Sequence, residues 1–252
     1  MKKNTINRAI NRLYTSLVRK IKENSVSEGS IKLKYLLFKS TSNNLIVCFP
    51  AFADKGAKYN YVHTMREFNA TKLFFLDDFG ENHRGSYLLG EVESLVIKVI
   101  KKVVDDNNPQ RIMFVGSSKG GYSALYYSLF FNNVSVCIAA PQYLLGKYLD
   151  CEVMKPSLNA ILGKDITPQK LEDLNRKLSN GILHSPIRPR KIYLHFSDRE
   201  HTYREHIIFL LQDIEKVGIP IETDICHYAE HTELVSFYPN YLKNTLKRFL
   251  ES

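Results

Sequence analysis

A short apolar run, Ile112-Met113-Phe114-Val115, leads straight into Gly116-Ser117-Ser118-Lys119-Gly120-Gly121, and the residues beyond it, Tyr122 to Phe131, can continue as a helix. A run of that length and composition suits a central strand. Glycines two before and two after Ser118 let strand and helix approach closely, while the serine at the apex takes a backbone angle that side chains rarely adopt. In this Gly-x-Ser-x-Gly register Ser118 is the nucleophile candidate and Ser117 is not.

A serine hydroxyl attacks poorly unless a base removes its proton and a third group holds that base. The C-terminal half offers both. Lys191 to Phe196 reads as a buried strand, and Asp198 lies just past its end, where an acid belongs, ahead of a helix from about Thr202 to Val217. Pro220 to Cys226 reads as a strand near the sheet edge, and His231 lies in the loop beyond it, ahead of a final helix from about Val235 to Leu250. His227, four residues earlier, is the rival base. Of the other histidines, His195 alternates within a strand and is expected to be packed, whereas His201 and His206 are expected to be solvated. The oxyanion formed on attack needs two backbone N–H donors. Lys119, next after the serine, supplies one. The loop after Leu45–Phe49 supplies the other, and since Pro50 has no N–H, the candidates are Ala51 and Phe52.

Further strands are expected at Ile31–Lys39, Lys72–Leu76 and Val134–Ala140, with a long helix from about Tyr87 to Val104. Continuously apolar strands alternating with helices imply a mostly parallel sheet covered on both faces, whose sites gather at the C-terminal strand ends. The strand rhythm lapses over residues 143–190. Helices are expected there at Tyr143–Leu149, Leu158–Leu162 and Pro168–Leu178, the last capped by Thr167. This insertion after the sixth strand serves either as a lid or as an ordinary crossover. The segment from Asp77 to Tyr87 borders the same edge, and Asp78, His83, Arg84 and Tyr87 in it suit hydrogen bonding to a polar, saccharide-like substrate.

At 252 residues and 44% hydrophobic, the chain can fill one α/β domain spanning residues 1–252. Its net charge of +9 is uneven, with seven lysines and arginines and no acid before Glu23. Ile6, Ile10, Leu13, Leu17 and Ile21 recur at helical spacing, so residues 1–24 are expected to form a basic amphipathic helix. It either docks on the body or meets anionic lipid or an acidic protein partner. No zinc finger, RNP or helix-turn-helix signal points to nucleic acid. No apolar stretch is long enough to span a bilayer, and the N-terminal region has no apolar signal core, which points to the cytoplasm, or to the inner membrane face if the helix binds lipid. Four cysteines without a Cys-x-x-Cys pair indicate neither zinc nor a disulfide framework, and the serine chemistry calls for no metal or organic cofactor.

From about Ile31 to the C-terminus the order serine, acid, histidine, together with Gly116-x-Ser118-x-Gly120, resembles the α/β-hydrolase superfamily. Gly116-Ser117-Ser118-Lys119-Gly120-Gly121-Tyr122-Ser123-Ala124-Leu125, with the Asp78 loop and Gly85-Ser86-Tyr87, is similar to bacterial capsular-polysaccharide biosynthesis proteins and to the accessory-secretion O-acetyltransferase component that modifies glycosylated adhesins. The resemblance implies acyl transfer to or from sugar hydroxyls by Ser118, Asp198 and His231. The superfamily's usual His-Gly oxyanion signature is absent, Pro50-Ala51-Phe52 standing in its place. The competing expectation is a non-catalytic hydrolase-fold scaffold in a capsule-biosynthesis or secretion complex.

Overall fold

The computed structural model describes residues 18–52 and 56–251. The apolar positions Ile6, Ile10, Leu13 and Leu17 of the expected N-terminal helix lie outside them; residues 18–22 are helical, with Ile21 exposed.

Among the described residues eight strands form one sheet: β1 (Glu23–Glu28), β2 (Ile31–Phe38), β3 (Asn44–Cys48), β4 (Thr71–Leu76), β5 (Arg111–Ser117), β6 (Val134–Ala139), β7 (Lys191–Ser197) and β8 (Ile221–Cys226). Their spatial order is β1-β2-β4-β3-β5-β6-β7-β8. The pairs β1/β2 and β2/β4 are antiparallel, and every other pair is parallel. Strand β1 was not expected from the sequence. Its residues Glu23-Asn24-Ser25-Val26-Ser27-Glu28 carry a single large apolar side chain, and they form a strand because Gly29 at φ 55° turns the chain back to pair along β2.

The central strands are apolar at nearly every position because both faces are covered. Successive side chains point to opposite faces. Val47, Phe49, Phe114 and Ile138 join one core cluster, with helices α1 (Glu93–Asn107) and α2 (Lys119–Ser128); Ile46, Cys48, Met113, Val115 and Cys137 join the other. Helix α1 starts later than its apolar spacing suggests. Tyr87 and Leu88 take positive φ values of 59° and 56°, which no α-helix accommodates, and Gly90–Val92 forms a tight turn before the regular helix.

The insertion after β6 forms α3 (Leu145–Leu149), α4 (Lys155–Leu162) and α5 (Pro168–His184). Thr167 caps α5 as expected, its Oγ1 accepting from Lys170 N–H at 3.3 Å. Leu145, Leu149, Leu158, Leu174, Leu178 and Ile182 are buried in the main core. Asp213, on α6 (Ile208–Val217), accepts hydrogen bonds from Tyr143 Oη at 2.8 Å and Ser179 Oγ at 2.6 Å, fastening both ends of the insertion to the body. Helix α7 (Leu234–Glu251) covers the opposite face.

Candidate active site

Ser118 occupies the turn between β5 and α2 at φ 51°, ψ −121°, a conformation costly for a residue with a Cβ. The surrounding packing enforces it. A Cβ on Gly116 would stand 2.1 Å from the Gly120 carbonyl oxygen, and one on Gly120 would stand 2.5 Å from the Phe49 carbonyl oxygen. Neither position can hold a larger residue without moving backbone, so the two glycines fix how closely β5, α2 and β3 meet. Ser118 N–H donates to the Ala139 carbonyl at 2.8 Å, tying the turn to β6 as well.

His231 Nε2 lies 2.9 Å from Ser118 Oγ, although 113 residues separate them in sequence. The group on its other nitrogen is Glu200, whose Oε1 hydrogen-bonds His231 Nδ1. Asp198, the expected acid, does not take that place. Its Oδ1 meets His227 Nδ1 at 2.8 Å, both side chains being well exposed. The turn after β7 explains the exchange. Ser197 Oγ donates to the Tyr228 carbonyl and accepts from Arg199 N–H at 3.2 Å, which throws Asp198 and Arg199 outward and brings Glu200 into the interior. Nothing in the sequence separates the two acids: Glu200, like Asp198, lies in the bend before the helix, and the turn alone decides which points inward.

Glu200 Oε1 also accepts from Thr202 Oγ1 at 2.7 Å, and its side chain is fully buried. With the carboxylate on Nδ1, the imidazole carries its proton there and leaves Nε2 free to accept the serine proton. Besides His231, Ser118 Oγ is met by Gln142, just past β6, whose Nε2 donates to it at 2.9 Å. Sequence reading missed it, because nothing marks a lone glutamine after an apolar strand except its place at the C-terminal sheet edge.

His206, expected to be solvated, is buried on a wide turn of Tyr203–Ile207, its Nδ1 accepting from Leu144 N–H at 3.2 Å. Burial is the main cause that pushes its pKa from 6.5 down to about 4, so it is neutral at physiological pH. His195 is packed as expected, fully buried between tyrosine rings with Nδ1 2.6 Å from Asp224 Oδ2.

The oxyanion candidates divide. Ala51 N–H donates to Asn60 Oδ1 at 3.2 Å, which leaves Phe52 the stronger loop candidate beside Lys119 N–H. The Lys119 side chain has a separate task. Its Nζ lies 2.6 Å from Asp77 Oδ2, with both side chains under 5% exposed, and Asp77 Oδ1 accepts from Ser86 N–H at 2.8 Å. Glycine at 85 makes room, since a Cβ there would stand 2.1 Å from that Nζ. This ion pair clamps the 77–86 loop to the first turn of α2. Lys119→Met, which strands a buried carboxylate, is expected to lower unfolding free energy by about 3–5 kcal/mol in urea titration. A K119M/D77L double variant should regain part of that loss; no recovery would contradict the clamp.

Of the four residues expected to contact substrate, three line the loop surface and one does not. Asp78 pairs with Lys34, exposed His83 bonds the Asp78 carbonyl through Nδ1 at 3.0 Å, and the Arg84 guanidinium lies over the Phe52 ring at 5.5 Å. Tyr87 is buried against Tyr122, with its hydroxyl 3.4 Å from Gln142 Oε1, because its positive φ turns the side chain beneath the site.

No family model matches the chain, and no curated protein matches it in sequence. Solved structures do. The capsule O-acetyltransferase of Neisseria meningitidis serogroup A superposes with a TM-score of 0.73 at 24% identity, over 88% of this chain and 93% of that one. A histidine-to-alanine mutant of that protein, solved in complex with CoA, superposes at 0.74 with 21% identity, over 91% and 99%. The glycosylation-associated Gap123 complex of Streptococcus agalactiae gives 0.71 at 15% identity, over 90% of this chain and 47% of that one. The fluorophosphonate-binding serine hydrolase F of Staphylococcus aureus gives 0.62 at 12%, over 90% and 97%. The chain has the α/β-hydrolase fold. Among the described residues no helix is long and apolar enough to cross a membrane.

Proposed function

We propose that the protein is a serine acyltransferase that moves an acetyl group from an acyl thioester to a sugar hydroxyl of a bacterial surface polysaccharide. The observation that carries this reading is the line Ser118 Oγ, His231 Nε2, His231 Nδ1, Glu200 Oε1, built on a serine in a strained turn. His231 takes the Ser118 proton as Oγ bonds the acyl carbon. The carbonyl electron pair moves onto oxygen, where N–H groups of Lys119 and Phe52 receive it. Collapse breaks the bond to the leaving thiolate, which takes the proton from His231. An acceptor hydroxyl then repeats the sequence in reverse, giving its proton to His231 as it bonds the acyl carbon and frees Ser118.

The capsule O-acetyltransferase likeness and the CoA held by its mutant favour a CoA thioester as donor and a glycan as acceptor. Asp78, His83 and Arg84, on the loop over the site, are the contacts we assign to the sugar. The basic stretch before Glu23 gives such an enzyme a means of holding to an anionic membrane face. A non-catalytic scaffold would not require this aligned set of side chains.

The test supplies radiolabelled acetyl-CoA together with de-O-acetylated capsular polysaccharide. Label is expected to accumulate on the polysaccharide faster than free acetate is released. Acetate release alone, unchanged by the glycan, would make the protein an esterase; neither product would set the reading aside.

A further inference from the structure

The hydrogen bond from Gln142 to the nucleophile is more than a packing contact. A serine hydroxyl has one proton to give and lone pairs to receive others. With Nδ1 of His231 protonated toward Glu200, Nε2 can only accept, so the hydroxyl proton must point at it. The Gln142 amide N–H, 2.9 Å away, donates to a lone pair of the same oxygen. Its own orientation is fixed from behind, where Oε1 faces the Tyr87 hydroxyl at 3.4 Å, and the residue is only 1% exposed. Turned the other way, the amide oxygen would compete with His231 for the serine proton and leave the imidazole without it.

We infer that Gln142 is a fourth catalytic residue, acting at Ser118 Oγ in both halves of the reaction; this rests on the acyl-transfer reading above. In the first half its N–H aims the hydroxyl proton at His231 and stabilises the negative charge that grows on Oγ as the proton leaves. Once Oγ is an ester oxygen it is a poor acceptor, and a buried N–H is left beside the acyl carbon without a partner, an unfavourable state. The atom that relieves it is the oxygen of the incoming hydroxyl, which must approach within reach of the same His231 Nε2. Gln142 thus serves an acceptor that arrives as an O–H group, whether water or sugar, whose second lone pair can accept while the first attacks, and offers nothing to an amine, whose one lone pair is used in the attack.

A chromogenic acetate ester followed by stopped flow separates the two halves, the burst reporting acylation of Ser118 and the later steady phase its release. Gln142→Leu keeps the volume and removes the donor. It is expected to slow the burst by about 10- to 100-fold, the range for a hydrogen bond to a developing charge, and to slow the steady phase as well, while the KM for the ester and the Tm stay near wild type. Should Q142L not fold, Q142N, which keeps the amide but draws it back by one methylene, carries the same expectation. Tyr87→Phe, which removes the hydroxyl behind Oε1, should shift both phases the same way by a smaller factor. A wild-type enzyme with a normal burst that Q142L leaves intact would overturn this inference alone. Without a burst, acylation limits turnover and the same Q142L loss is read in kcat/KM; ester turnover unchanged by Ser118→Ala would overturn the serine reading, and this inference with it.

Discussion

Ser118→Ala is expected to cut turnover of an acetyl ester by a factor on the order of a thousand or more, with any residual rate coming from the oxyanion donors and from binding. The size follows from what the residue alone supplies. Ser118 Oγ is the atom on which His231 and Gln142 both converge, and its strained φ of 51° holds it there before substrate arrives. Ser117, one residue earlier, is the internal control. Its Oγ lies 2.6 Å from the Tyr61 hydroxyl and faces another part of the loop, so Ser117→Ala should leave most of the activity in place. A thousandfold loss in S117A with little change in S118A would reverse the register of the turn.

The second large effect separates two acidic residues that stand two positions apart. Glu200→Gln keeps the shape and an acceptor oxygen but removes the charge that stabilises the imidazolium, and kcat should fall by roughly 10³- to 10⁴-fold, as when the acid of other triads is neutralised. Asp198→Asn breaks only an exposed contact with His227, of a kind worth about 1 kcal/mol or less, so kcat should stay within about threefold of wild type. Measuring kcat for both on one ester decides the matter. A large loss in D198N together with a small one in E200Q would restore the acid position first expected from the sequence.

What made Asp198 persuasive in the sequence is also why it misled. It is the first carboxylate past an apolar strand, and strand ends are where such sites gather, but sequence adjacency does not say which way a turn throws its side chains. That is set by Ser197, whose hydroxyl is drawn to the Tyr228 carbonyl 31 residues away. Ser118 and His231 were legible for the opposite reason. Gly116 and Gly120 leave room for one backbone path only, and His231 lies in the short span between the last strand and the last helix. The parallel strands were legible because burial on both faces writes itself as unbroken apolar runs. Strand β1 was not, because polar residues at a sheet edge are recruited by pairing to β2 rather than by any pattern of their own. His206 and Tyr87 were misplaced by the same limit. Each is polar enough to read as surface, and each is buried by a local departure from regular backbone, a wide turn at Tyr203–Ile207 and a positive φ at residue 87.

The most direct measurement is to mix the protein with acetyl-CoA, quench in acid within the first turnover, and map the digest by mass spectrometry. A single acetyl adduct on the peptide carrying Ser118, absent from S118A and persisting longer in E200Q, is the predicted result. Transfer of label to the acceptor with no adduct ever formed on Ser118, under quench times that resolve the first turnover, would contradict the covalent serine mechanism.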